Sequence, residues 1–184
     1  MSITLKSGII GAILWIVIRL SAYYLGVFQN EVEPFVFLNM LGVTLAITFG
    51  LYYQKKKDGS ETNTMLDIKN GMKAGVVYAF LVSIFIYFYY QSINPGYIKT
   101  KLAEIELKID EALADPAEVA KIRKSNEGYE VLSLAQMKNQ MMSGPKSFFA
   151  PGSTMTISML ALLLWSTLNA ILITIVFRRM IFRQ

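Results

Sequence analysis

Arg19 is the charged side chain that stands well inside a long apolar run, between Trp15-Ile16-Val17-Ile18 and Leu20-Ser21-Ala22. A guanidinium near the middle of a bilayer costs about 2.5 kcal/mol on insertion scales, so the position demands a partner or a route to water. Three outlets fit its chemistry: snorkelling toward the outer headgroups over the ring of Tyr23, a carboxylate on another protein, or an anionic lipid or substrate. Snorkelling is the expected outlet, because long basic side chains commonly adopt it. Met137, Met141 and Met142 offer thioether ligands that would suit Cu(I). The same spacing puts them on one apolar helix face, so packing is their expected role, with Met137 and Met141 as candidate contacts to a partner. Lys55, Lys56 and Lys57 are first a topology signal and second a contact for anionic lipid. Asp110 with Glu111, and Glu127 with Glu130, are the pairs that general acid–base chemistry would use. They lie among balancing lysines with no sign of the burial that tunes such groups, and they read as a solvated face.

The residue inventory narrows the chemistry further. The chain of 184 residues has no cysteine and no histidine, which removes disulfides, thiol nucleophiles, the usual zinc sites and imidazole catalysis. No catalytic constellation, metal or other cofactor is expected. Hydrophobic residues make up 54% of the chain and charged ones 17%, against roughly 25% charged in soluble domains, which points to a membrane protein. The net charge of +5 is accounted for by basic residues at span ends, so nucleic acid is not an expected partner.

Four stretches satisfy the requirement of about 20 apolar residues for a helix crossing a bilayer: 7–28, 34–53, 71–91 and 154–177. Only Gln29-Asn30-Glu31-Val32-Glu33 separates the first two, and Pro34 suits the opening of a helix, so spans one and two form a tight helical hairpin. The first run is too long for a signal-peptide core and is expected to stay in place. No Asp or Glu falls inside these four spans. Asn39, Thr44, Thr48, Ser83, Ser166, Thr167, Asn169 and Thr174 are expected to join helices by hydrogen bonds. Basic residues cluster at Lys55, Lys56, Lys57, Lys69 and Lys73 and at Arg178, Arg179 and Arg183, whereas the first connection has none. The positive-inside rule then places both termini in the cytoplasm and residues 92–153 outside, in a bacterial inner membrane.

Segment 92–153 carries helical periodicity and balanced charge. Asn94-Pro95-Gly96-Tyr97 is a turn signal, after which Ile98, Leu102, Ile105, Ile109 and Leu113 form one stripe. Asp115-Pro116-Ala117-Glu118 reads as a capped helix start, and Gly128 as a break. Val131, Leu134, Met137 and Met141 form a second stripe that ends at Ser143-Gly144-Pro145. A hairpin of this size, without disulfide or metal, has a marginal core and needs a supporting surface. The expected fold is thus all-α: transmembrane helices 1–3 in 1–91, a periplasmic helical hairpin in 92–153, and a fourth helix with cytoplasmic tail in 154–184.

This layout resembles a bacterial membrane-protein family catalogued as domain of unknown function 4199. The resemblance lies in the N-terminal hairpin, the amphipathic lead-in Met65-Leu66-Asp67-Ile68-Lys69-Asn70-Gly71-Met72-Lys73-Ala74-Gly75, the Asn94-Pro95-Gly96-Tyr97 exit, and the charged helices that run through Ser143-Gly144-Pro145. The family tends to carry a Phe and a Glu where this chain has Leu66 or Ile68 and Asn70. It has no established activity to carry over to any residue; the resemblance implies an accessory role in envelope assembly, near polyprenol-linked sugar transfer. The expected function is that of a non-catalytic accessory or scaffold subunit in contact with membrane lipids and with another membrane protein or its own copy. Lipid handling through Arg19 and the basic loop is the alternative, and a small transporter the third.

Overall fold

Helix α1 (Ile3–Tyr24) starts where the Ser2 hydroxyl accepts a hydrogen bond from the Leu5 amide. It ends four residues before the expected Phe28, and the cause is Gly26. This residue adopts φ 74°, a left-handed conformation that favours glycine. Its amide donates to the Tyr23 carbonyl while the Val27 amide donates to Ala22. That paired closure of a helix C-terminus satisfies two carbonyls that would otherwise be left open. The computed structural model describes residues 1–28, 31–58 and 63–181; Gln29 and Asn30 of the first connection and Arg183 of the tail lie outside them.

The remaining elements are α2 (Glu33–Asp58), α3 (Thr64–Phe88), a π-helical turn (Tyr89–Ile93), α4 (Pro95–Ala114), α5 (Pro116–Ser125), a short 3₁₀ turn (Glu127–Tyr129), α6 (Leu134–Phe148), α7 (Pro151–Val176) and a second π-helical turn (Phe177–Ile181). No strand occurs among the described residues. Four helices are long and apolar enough to cross a membrane: Ile3–Tyr24, Glu33–Lys57, Thr64–Ile93 and Pro151–Met180. The chain divides into two compact units, Met1–Tyr87 with Met155–Gln184, and Phe88–Thr154.

In the first unit α1 and α2 are antiparallel neighbours. The Ile3 amide donates to Gln54 Oε1, Ser7 Oγ to the Ala46 carbonyl at 2.7 Å, and Trp15 Nε1 to the Phe35 carbonyl. Small residues let the other helices approach. A Cβ at Gly8 of α1 would strike the Ala74 carbonyl of α3, and one at Gly75 would strike the Ser166 side chain of α7. A Cβ at Gly71 would sit tightly, 3.0 Å from Leu51 of α2 and 3.1 Å from Ala170 of α7, so Gly71 and Gly75 of α3 face Ala170 and Ser166 of α7 in a small-residue seam of the kind that joins helices in lipid.

Hydrogen bonds reinforce that packing at fewer positions than expected. Tyr78 donates its hydroxyl to Asn39 Oδ1 at 2.8 Å. Trp165 Nε1 donates to the Met40 carbonyl, and Thr44 Oγ1 lies 3.2 Å from Asn169 Oδ1. Asn39, Thr44 and Asn169 therefore join helices. Thr48, Ser166 and Thr167 instead donate to carbonyls of their own helices, the local bond open to any hydroxyl on a helix. Ser83 Oγ and Thr174 Oγ1 are buried with no hydrogen-bond partner among the described residues.

In the second unit, Asn94 and Asp115 cap α4 and α5 through the amides of Tyr97 and Ala117, each with proline at the first helical position. Ser133 and Gln136 form a reciprocal cap at the start of α6. That cap leaves Val131 outside the helix and 88% exposed, so the second apolar stripe begins later than expected, at Met137 and Met142. Helix α6 also runs through Pro145 to Phe148 rather than stopping at Ser143-Gly144-Pro145. A proline removes one amide donor but keeps its carbonyl, and Pro145 O accepts from the Phe149 amide. Lys138 of α6 lies between Glu106 and Asp110 of α4, 2.8 Å from each, and so pins the two helices together.

Candidate functional site

Each membrane helix of the first unit has an inward stripe with a charged residue at one end, and those of α2, α3 and α7 lie at the same end of the unit. On α2 it runs Val43, Ile47, Leu51, Lys55; on α3 it includes Asp67, Gly71 and Gly75; on α7 it runs Ala170, Thr174 and then Arg178 in the π-helical turn. Spacing by four residues repeats a position on a helix face, so the last residue of each stripe points where the apolar ones do. The three charged ends meet. Asp67 Oδ2 accepts from Lys55 Nζ at 2.9 Å and from Arg178 Nε at 2.9 Å. Lys55 is 6% exposed and Asp67 5%, so the Lys55–Asp67 pair is sheltered from solvent by protein alone.

Local structure favours each charge where it stands. Asn63 accepts from the Leu66 amide through its side chain and opens α3, which puts Asp67 in the first turn, at the positive end of the helix dipole. Lys55 sits in the last turn of α2 and Arg178 just past the end of α7, both at negative ends. Among the described residues the cluster joins two cations, Lys55 and Arg178, to the Asp67 carboxylate. Chemically it is a clamp: one carboxylate oxygen ties the ends of three helices, and Asn70 and Lys73 add a further hydrogen bond of 3.2 Å one turn along α3.

Asp67 overturns the expectation that no acidic residue lies within a span. The apolar run was bounded at Gly71 by hydropathy, but α3 begins at Thr64 and includes the carboxylate. The lysine run divides likewise. Lys55 is buried in the clamp, while Lys56 and Lys57, one and two residues on, are exposed. The signal was present in the sequence as the four-residue spacing from Leu51 to Lys55 and from Thr174 to Arg178.

Arg19 packs against the neighbouring helix. It closes the inward stripe of α1 after Gly8, Ala12 and Trp15, is 4% exposed, and lays its guanidinium 3.8 Å from the centroid of the Phe35 ring on α2. It is buried by protein, against a ring in the first turn of α2. A cation over an aromatic face gains about 2 kcal/mol when desolvated, which offsets part of the burial cost. Met137 is wholly buried within the second unit, and Met141 is half-buried beside the buried Met142.

Glu106 and Asp110, one turn apart on α4, share Lys138, and their hydrogen bonds push the Lys138 ammonium above its ordinary pKa. Among the described residues no group of three or more His, Cys, Asp or Glu could hold a metal ion.

The sequence model of a family described as "Protein of unknown function (DUF4199)" matches residues 6–179, nearly the whole chain. No curated protein and no solved structure matches the chain.

Proposed function

The chain belongs to the DUF4199 family of proteins of unknown function, and we propose that it is a non-catalytic membrane anchor that holds a helical docking unit for a protein partner. The observation that carries this reading is the unfinished core of the second unit. Its buried hydrophobic residues are Tyr89, Tyr90, Ile109, Met137 and Met142, while Leu107, Val131, Leu134 and Phe148 are large apolar side chains left exposed. A unit with so small a core gains stability from a covering surface, and exposed apolar side chains of this kind favour association.

The first unit supports the anchoring half of the proposal. Its charged side chains with the clearest chemical potential, Lys55, Asp67, Arg178 and Arg19, are engaged in joining helices. A rigid base suits a scaffold better than a catalyst that must move protons. By the positive-inside rule, the end that bears Lys55, Lys56, Lys57, Arg178 and Arg179 faces the cytoplasm of a bacterial inner membrane, and Phe88–Thr154 faces the periplasm.

Isolation of the full-length protein from its native membrane in mild detergent, followed by mass spectrometry of what remains bound, tests the proposal. A stoichiometric protein that is lost on Leu134→Glu, with the anchor still folded, is the expected result. A protein recovered without any partner, whose second unit is nevertheless fully protected from hydrogen exchange, would overturn it.

A further inference from the structure

An apolar trough of about 420 Å³ runs along the outside of the first unit between α1 and α2. Its origin is a pattern of sizes. Ile10, Leu14 and Ile18 repeat every four residues on α1, and Leu41, Leu45 and Phe49 do so on α2, making two ridges. Gly11 and Gly42 line the floor between the ridges with backbone, and the room that their missing side chains leave is taken on the inner side by Tyr78. The polar lining is sparse: Lys6, Ser7 and Tyr53. Ser7 already donates to the Ala46 carbonyl, which leaves an ammonium and a phenol.

These two groups lie at one end of the trough, and that end is strongly basic. The Ile3 amide bonds Gln54, which places the start of α1 beside the end of α2 and its exposed Lys56 and Lys57. Lys6 is itself exposed. From Lys6 to Ile18 the helix rises about 18 Å, close to the 15 Å or so of hydrocarbon in one leaflet. A partner's spanning helix would need a face about 30 Å long, roughly twice one leaflet. An amphiphile with one negative head and one chain matches both the length and the placement of charge.

We infer that the trough is a binding site for an anionic phospholipid, with one acyl chain between the α1 and α2 ridges and the phosphate at Lys6. The site is independent of whether the second unit has a protein partner. It gives Lys6 a role distinct from that of the neighbouring lysines: among the described residues it alone of the basic ones at this end lines the trough.

Trp15 lines the trough and is one of only two tryptophans in the chain, which provides an optical test. The full chain is reconstituted in nanodiscs that contain a small fraction of tail-brominated phosphatidylglycerol or tail-brominated phosphatidylcholine, and the emission lost is compared with that of Trp15→Phe. Bromine quenches the indole on contact, so the Trp15 component reports chain occupancy. The expected preference for phosphatidylglycerol is about fivefold, the worth of one lysine at an anionic surface. Lys6→Gln abolishes the preference, while Lys57→Gln, an exposed lysine outside the trough, leaves it intact. Equal quenching by the two lipids would overturn the site. Equal loss in both lysine variants would overturn it too, in favour of diffuse attraction at the basic end. An absence of Trp15 quenching by either lipid, with a dimer in solution, would assign the trough to a second copy instead.

Discussion

The two units each hold a three-membered charge cluster with nearly the same bond lengths and the opposite stoichiometry. In the membrane unit one carboxylate serves two cations, Lys55 and Arg178, at 2.9 Å; in the other unit one ammonium, Lys138, serves two carboxylates at 2.8 Å. What separates them is solvent. Asp67 is 5% exposed, whereas the side chains of Glu106 and Asp110 are each 48% exposed. Coulomb attraction at a fixed distance grows as the dielectric falls, but so does the penalty for any charge left behind. Distance alone therefore says little about what an ion pair contributes.

The largest effect should follow loss of the membrane anion. Asp67→Asn removes the carboxylate that both Lys55 and Arg178 bond, and removal of one partner from a buried ionic cluster costs about 3–5 kcal/mol. Unfolding of the detergent-solubilised protein by heat or denaturant measures it. A triple change of Lys55→Met, Asp67→Leu and Arg178→Met removes all the charges together and should recover most of that loss, because buried ion clusters are often replaceable by apolar packing. If the triple variant is no better than Asp67→Asn, the clamp contributes stability in its own right.

A smaller effect is expected from packing without charge. Gly75→Val drives a side chain into Ser166 and forces α3 from α7, at about 1–3 kcal/mol for overpacking. If the clamp alone held these helices together, this variant would unfold like the wild type.

The smallest change belongs to the exposed cluster. Lys138→Met should leave global unfolding nearly unaltered, since exposed ion pairs contribute little and are screened by salt. Hydrogen exchange of the α4 amides should quicken slightly at low salt, and the difference should vanish at high salt. The sign of its pH dependence is fixed by the raised Lys138 pKa. The folded state holds the proton more tightly than the unfolded chain does, so the contribution is fully present below the ordinary lysine pKa and is lost as pH rises through the higher folded value. Protection of α4 that falls instead between pH 7 and pH 9, below the ordinary lysine range of roughly 10.4, would contradict that assignment.

Much of this architecture was legible in the residues themselves. Four apolar runs located four long helices, and Pro34, Asn94, Asp115 and Gly128 marked starts and breaks that the backbone follows. These signals are local, and a helix cap or a hydrophobic period acts within a few residues of itself. Gly26 carried a similar signal for the end of α1, which hydropathy overrode by counting Val27 and Phe28 as membrane.

The sequence by itself determined the helices, their apolar character and the basic bias of one end of the bundle, because each depends on composition over neighbouring positions. Tertiary structure decided the partners. That Asp67 would meet Lys55 and Arg178, that Arg19 would lie over Phe35, and that Lys138 would take both Glu106 and Asp110 depends on which faces of separate helices come together. A charged residue at the end of an inward stripe looks like any residue near a headgroup until its neighbours are placed. Whether a lysine serves as a solvated topology signal or a buried clamp is then settled by a rotation of about 100°, one residue's step around the helix, a quantity set by how α2 packs against the other helices rather than by the lysine itself.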